Sequence, residues 1–191
     1  MKESIRKIIL KNRDLQDRKT ILKKSDIALD NIFNSGLIDK NMLIFMFVGF
    51  GSEIQTLEYI ENLVNDGYKV CIPKVNKITK KMDIYQFTSR EMLEESKFGI
   101  LEPTISSKLV NPEEIMVTIT PGVAFSKDGY RIGYGGGFYD KFYFDYPNSI
   151  RIGVCFSLQI VDTLEYESHD AKVNYIATEF GIQKINSTPC Y

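Results

Sequence analysis

The chain has 191 residues, 43% hydrophobic and 26% charged, enough apolar side chain to bury a sizeable core within one ordinary domain over 1–191. Its formal net charge of -1, with no long basic or acidic block, gives no electrostatic reason to expect nucleic acid or an anionic membrane as partner, so any bound anion must be held locally. The three cysteines, Cys71, Cys155 and Cys190, are odd in number and far apart, which argues against a disulfide framework or a zinc site.

In chain order, "MKESIRKIILKNR" is charged throughout and lacks a signal-peptide core, and a cytoplasmic monomer is expected. Ile5, Ile8 and Ile9, then Ile27, Ile32 and Phe33, fall at helical spacing and predict one or two amphipathic helices ending at "NSG". "MLIFMFVGF", the longest apolar run, is too short for a bilayer and reads as a strand buried on both faces. "EIQTLEYIENLVNDG" then places Ile54, Leu57, Ile60 and Val64 on one helical stripe with a stop at Gly67, and makes Glu53 a first-turn acid behind the N-cap candidate Ser52. "YKVCIP", "MDIYQF", "EIMVTIT" and "SIRIGVCF" are further strand candidates, with "KVNYIATE" as the final strand. "NKITKK" and "TSREMLEESKFG" are polar connections, the second with room for a helical turn. Apolar bursts alternating with helical periodicity are the pattern of an α/β layer structure with a largely parallel sheet.

"RIGYGGGFYDKFY", Arg131 to Tyr143, places four glycines in five positions and then turns aromatic. Glycines let backbone N–H groups approach an anion closely, and a helix starting at "FYDKFYFDY" adds its positive end. No Lys-Ser or Lys-Thr follows, so this is not a P-loop, and Phe138 stands where the dinucleotide fingerprint needs its third glycine. The glycines alone leave a phosphate cradle and a tight backbone packing turn both open. Arg131 and Asp140 bracket the loop with a permanent cation suited to phosphate oxygens and a carboxylate suited to Mg²⁺, although Asp140 is also a natural helix-start acid. Lys2 and Arg6, four apart, share a helix face and can reach one polyphosphate together, or simply face solvent.

"PGVAFSKDGYRIGYGGGFYDKFY" resembles the signature of the 5-formyltetrahydrofolate cyclo-ligase (5,10-methenyltetrahydrofolate synthetase) family. "KESIRK", "FVGFGSEIQT" and "ESHDAKVNYIATE" fall in that family's order, with "FGILEP" as a weaker marker, so that the likeness covers nearly the whole chain. The resemblance implies a single three-layer α/β domain with a mainly parallel sheet flanked by helices, similar to the sugar-phosphate isomerase/CoA transferase-like fold. It also implies conversion of 5-formyltetrahydrofolate and ATP to 5,10-methenyltetrahydrofolate, ADP and phosphate with Mg²⁺.

Carried over by position, the implied ATP contacts are Lys2, Glu3, Ser4, Ile5 and Arg6, with Arg131, Ile132, Gly133, Tyr134, Gly135, Gly136, Gly137, Phe138 and Tyr139. The implied folate contacts are Val48, Glu53 and Tyr134 to Phe138, and the implied metal carboxylates are Asp140 and Asp170. The implied reaction phosphorylates the formyl oxygen and lets N10 attack. It needs no protein nucleophile, so catalysis falls to Arg131, Lys2 and Arg6 as charge-neutralising groups. Phe138, Tyr139, Phe142 and Tyr143 offer flat surfaces to a ring or belong to the core. His169, the single histidine, is not assigned as a base. Three positions depart from common family residues: Tyr134 where several members have arginine, Phe138 where tyrosine is frequent, and Asn174 where an aspartate often stands. Two other readings share the fold: a phosphate-handling, isomerase-like enzyme that needs neither ATP nor Mg²⁺, and a non-catalytic nucleotide- or folate-binding module.

Overall fold

The computed structural model describes residues 2–76, 78–96 and 99–186; Phe98 of "FGILEP" and Cys190 lie outside the described residues. Helices α1 (Lys2–Asp14) and α2 (Arg18–Phe33) open the chain, followed by β1 (Leu43–Phe45), α3 (Leu57–Asn65), β2 (Lys69–Asn76) and β3 (Lys81–Gln86). A small hairpin, β4 (Leu93–Glu95) and β5 (Leu101–Pro103), leads to β6 (Ile115–Thr120), a second hairpin of β7 (Ala124–Ser126) and β8 (Arg131–Ile132), and α4 (Phe138–Asp145). Strands β9 (Ile150–Val154), β10 (Ile160–Val161), β11 (Tyr175–Thr178) and β12 (Gly181–Lys184) complete the described chain.

Among the described residues the main sheet runs β12-β11-β9-β6-β1-β2-β3. Its inner pairs are parallel, and its two edges, β12 on β11 and β3 on β2, are antiparallel. The apolar runs with no polar alternation follow from this, because a parallel strand is covered on both faces. Ile44, Met46, Val70 and Ile72 face one layer, where α2 packs Ala28, Leu29 and Ile32 and α3 packs Ile60 and Leu63. Phe45, Cys71 and Ile84 face the other, against Phe142 and Tyr143 of α4. Helices thus cover both faces, and no helix among the described residues is long and apolar enough to cross a membrane.

The first helical segment divides at Asp17, whose carboxylate caps α2 by accepting from the Thr20 backbone N–H at 2.9 Å. Helix α1 packs away from the main sheet, setting Ile5 and Ile9 against Val123, Ala124 and Ile132 of the β7–β8 hairpin. At about 2 kcal/mol for a fully buried isoleucine, this contact is enough to fix α1 beside the loop that follows β8.

Several elements differ from their sequence reading. The β1 ladder ends at Phe45, although burial continues through Phe47. "KVNYIATE" contains β11 but is not the last strand, since the chain reverses at Gly181 (φ 137°) into β12. The stretch Ala124–Ile132, for which no strand was expected, forms the β7–β8 hairpin, and the room for a helical turn in "TSREMLEESKFG" is used by a single 3₁₀ turn at Arg90–Met92.

Candidate active site

The principal cavity, about 410 Å³, opens beyond the C-terminal ends of β1 and β6, between α1, the glycine loop and the β4–β5 hairpin. That volume falls in the range of small-molecule sites, and strand ends of an α/β sheet are where such sites form. Its wall combines Lys2, Arg6, Val48, Glu53, the stretch Arg131–Asp140 and Asp170. Groups separated by the length of the chain therefore meet in one place.

At one end stand the cations of α1. Lys2 Nζ donates to Asp170 Oδ2 at 2.7 Å and lies 3.8 Å from Glu167 Oε1, and Arg6 Nε donates to the Gly133 carbonyl at 2.9 Å. The Asp170 hydrogen bond pushes the Lys2 amine up, so it is charged at neutral pH. Of the run Lys2 to Arg6, those two side chains reach the cavity; Glu3 pairs with Lys7 on the outer face, Ser4 is exposed and Ile5 packs into the apolar cluster.

The glycine loop is exposed from Gly133 to Gly137, with Gly135 (φ 100°) and Gly137 (φ 65°) in the left-handed region that favours glycine. Gly137 is the N-cap of α4 and supplies no side-chain cap, so the first-turn amides of that helix remain available at the cavity wall. Ile132 is turned into the apolar cluster, leaving its backbone at the wall. Arg131 is more committed than its flanking position suggests. Its Nη1 donates to the Ala171 carbonyl at 2.7 Å and its Nη2 to Asp140 Oδ1 at 3.0 Å, with a side chain only 5% exposed.

Asp140 and Asp170 both line the cavity, and their hydrogen bonds fall on one oxygen of each. Asp140 Oδ1 takes Arg131 and the Ala171 N–H, while Asp170 Oδ2 takes Lys2 and the Glu167 N–H. Burial pushes the Asp170 carboxyl up, but the Lys2 and Glu167 hydrogen bonds outweigh it and hold the group below its ordinary value. Among the described residues no group of three or more His, Cys, Asp or Glu could hold a metal by itself. Two hard carboxylate oxygens do fit Mg²⁺ when phosphate and water complete the shell. His169 is at the rim, 3.8 Å from Asp170 Oδ1 and 67% exposed in its side chain. Asn174 faces away, accepting from the Arg151 N–H and bracing the loop to β9.

The other end is built on the turn after β1. Thr56 Oγ1 donates to the Phe47 carbonyl and accepts from the Gly49 N–H, and a Cβ on Gly49 would sit 1.9 Å from the Ile54 carbonyl oxygen. This close crossing turns Glu53 inward, to 6% exposure at the cavity wall. Glu53 is consequently not a first-turn acid, because α3 starts at Leu57 behind the N-cap Thr56 rather than behind Ser52. Burial pushes its carboxyl up, opposed by the charge of Arg13 and hydrogen bonds from the Phe50 N–H and Tyr134. The Tyr134 hydroxyl accepts from Arg13 Nη2 at 2.6 Å, and burial followed by the Glu53 charge pushes it up to about 12. Phe138 and Tyr139 reach the cavity, whereas Phe142 and Tyr143 belong to the core under α4.

The model of the 5-formyltetrahydrofolate cyclo-ligase family matches residues 1–179. The chain belongs to this family. A 5-formyltetrahydrofolate cyclo-ligase of Haemophilus influenzae is 32% identical over 131 residues, 66% of this chain and 70% of the relative, and one of Escherichia coli K12 is 28% identical over 71% and 76%. A 5,10-methenyltetrahydrofolate synthetase structure from Aquifex aeolicus superposes with a TM-score of 0.85 at 24% identity, covering 100% of this chain and 95% of that one. The corresponding Mycoplasma pneumoniae structure gives 0.74 at 19% identity, covering 93% and 98%, so the fold is shared.

In and around this cavity, sequence reasoning missed Phe50, the apolar wall of Pro73, Val75, Met82 and Leu101, and Arg13 behind Tyr134. Arg13 carries a usable signal, because Lys2, Arg6 and Arg13 are spaced by four and seven and therefore share a helix face. The apolar wall had none, since strand residues aimed at a ligand look like strand residues aimed at a core.

Proposed function

We propose that the protein is a 5-formyltetrahydrofolate cyclo-ligase that uses ATP to form 5,10-methenyltetrahydrofolate, releasing ADP and phosphate. One arrangement carries the reading. Lys2, Arg6, the bare glycine backbone and two carboxylates occupy one end of a cavity whose other end has an apolar wall and the buried acceptor Glu53. A polyphosphate and a pterin could then lie end to end with the γ-phosphate beside the formyl group.

In this reading Lys2, Arg6 and the first-turn amides of α4 align the triphosphate and neutralise charge as the γ-phosphoryl group passes to the formyl oxygen. N10 then attacks the activated formyl carbon, the carbon–oxygen bond breaks, phosphate departs, and the N10 proton is lost to water. Glu53 accepts from the N–H donors of the pterin, with Val48 and the apolar wall against the ring system. Arg131 acts from beneath, as fixed positive charge and as the anchor of Asp140. Asp140 and Asp170 would hold Mg²⁺, which would supply further neutralisation of the polyphosphate.

The test is the near-ultraviolet absorbance of 5-formyltetrahydrofolate incubated with the protein, Mg²⁺ and ATP, with phosphate measured in parallel. The methenyl chromophore should grow in step with phosphate and disappear when ATP is omitted. A protein stabilised by ATP that forms no chromophore would leave a nucleotide site and remove the folate assignment.

A further inference from the structure

Helix α1 meets the cavity twice. Lys2 and Arg6 reach Asp170 and the Gly133 carbonyl, and further along the same helix face Arg13 donates to the Tyr134 hydroxyl and sets its positive charge near Glu53. Arg13 is 3% exposed, with Nε donating to Ser52 Oγ at 3.0 Å and Nη2 to the Tyr134 hydroxyl at 2.6 Å. Ser52 in turn donates to Asp14, and Tyr134 packs its ring on Phe50 at 5.5 Å between centroids. A guanidinium and a carboxylate are thus both removed from water in one corner, where similar-sized apolar side chains would have given equal or greater stability. Glu53 and Tyr134 line the cavity wall, and Arg13 stands behind them beside a small separate void that it shares with Glu53.

We propose that Arg13 is a positioning residue for the folate end of the site, fixing the Tyr134 hydroxyl and the Glu53 carboxylate as a preformed acceptor pair for the N–H donors of the pterin. The inference rests on the cyclo-ligase reading for the identity of the ligand. Its physical basis is local. Glu53 is faced by Arg13 from α1, by Tyr134 from the glycine loop and by Tyr139 from α4, with Asp14 joined through Ser52; of these, Arg13 is the cation. Removing it leaves burial unopposed by positive charge and drives Glu53 toward the protonated acid, which cannot accept at both oxygens. Tyr134 loses its Arg13 donor in the same step and is held only by Glu53 and the Phe50 ring.

The test compares Arg13→Gln and Arg13→Lys in the full chain, with ATP and 5-formyltetrahydrofolate affinities measured separately by calorimetry. The Glu53 carboxyl is titrated in the ligand-free protein by ¹³C NMR, its resonance assigned from Glu53→Gln. Arg13→Gln is expected to weaken folate by about 10–100-fold, the range for losing a hydrogen bond to a charged group, while ATP affinity stays within about twofold. The Glu53 titration should move to higher pH in Arg13→Gln and return part of the way in Arg13→Lys. Equal loss of both ligands, or an unmoved titration, overturns the proposal. Should Arg13→Gln not fold, Tyr134→Phe tests the same pair: folate weakened with ATP unchanged supports it, and folate unchanged overturns it. A wild-type protein that forms no methenyl product would sink the cyclo-ligase reading, while the Glu53 titration would still decide the role of Arg13.

Discussion

Lys2 Nζ and Asp170 Oδ2 are 2.7 Å apart, joining the first turn of the chain to a loop 168 residues later. A proposed phosphate cation thereby holds a proposed metal carboxylate, and neither is left to drift before ligands arrive. The pairing also has a definite pH window. The Lys2 amine is raised above its ordinary 10.5, so its contribution is present below that value and lost as pH climbs through the raised one. The Asp170 carboxyl is held below its ordinary 3.8, so its contribution is present above that value and lost as pH falls through the lowered one. With Lys2 31% exposed in its side chain, the bridge should be worth about 1 kcal/mol at most. Lys2→Met is therefore expected to lower thermal stability by a few degrees across neutral pH. Its difference from wild type should close toward both extremes in melting curves recorded over the pH range. A constant difference at all pH values would mean that the ion pair with Asp170 does not carry the effect.

The carboxylate after the glycines serves two roles that different substitutions should separate. Asp140 Oδ1 accepts from Arg131 and from the Ala171 N–H, both at 3.0 Å. Asp140→Ala strands a guanidinium that is 5% exposed and should cost about 2 kcal/mol, below the ~3–5 of a fully buried pair because Asp140 is 22% exposed. Asp140→Asn keeps a carbonyl acceptor and should retain most of that stability. Both should lose the Mg²⁺ dependence of turnover, read as the rise in activity on titrating Mg²⁺ into chelator-treated protein. An Asp140→Asn enzyme with wild-type Mg²⁺ response would assign Asp140 to Arg131 alone.

How much of this was legible in the sequence depends on what each signal reports. The inner strands and α3 were readable because burial on both faces and a four-residue stripe are local patterns, as with Ile44 to Met46 and with Ile60 and Leu63. The β7–β8 hairpin was not, because its pairing depends on tertiary contact with α1 through Ile132 and Ile9. Glu53 came from the family resemblance, and only its competing local reading, a first-turn acid, fails in the structure. Ser52 and the following acid imitate a helix start, but the tight crossing of Gly49 over Ile54 delays α3 to Leu57. Arg131 showed as a cation beside glycines, and no periodicity could show that its Nη1 and Nη2 are turned toward Ala171 and Asp140.

The apolar wall contributed by the β2–β3 ladder makes a prediction about ring binding. Met82 and Val75 pair in register and both border the cavity, near the strand ends where a large flat ligand would rest. Met82→Ala opens space without removing a polar group, so it should raise KM for 5-formyltetrahydrofolate by about tenfold, the loss of one to two buried methylenes. KM for ATP should be unchanged. Equal effects on both substrates, measured under saturation of the other, would place the ring elsewhere.

The glycine loop allows backbone conformation to be tested apart from ligand approach. Gly137 has φ 65° with no heavy atom within 4 Å of a built Cβ, so Gly137→Ala meets only the strain of a left-handed residue, about 1–2 kcal/mol. Gly136 is limited differently: an added Cβ would come within 2.4 Å of the Phe138 ring and displace it. Gly133 has neither restriction, being outside the left-handed region with nothing within 4 Å of a Cβ. Gly133→Ala should accordingly melt within about 0.5 kcal/mol of wild type. Its carbonyl nonetheless accepts from Arg6, and it lines the cavity, so a methyl there stands where a phosphate would approach. Turnover of Gly133→Ala should fall by about 100-fold, the scale of a 1 Å misplacement of a reacting group, with KM for ATP raised. Full activity in a stable Gly133→Ala protein would show that the loop is glycine-rich for the turn and that the triphosphate lies elsewhere.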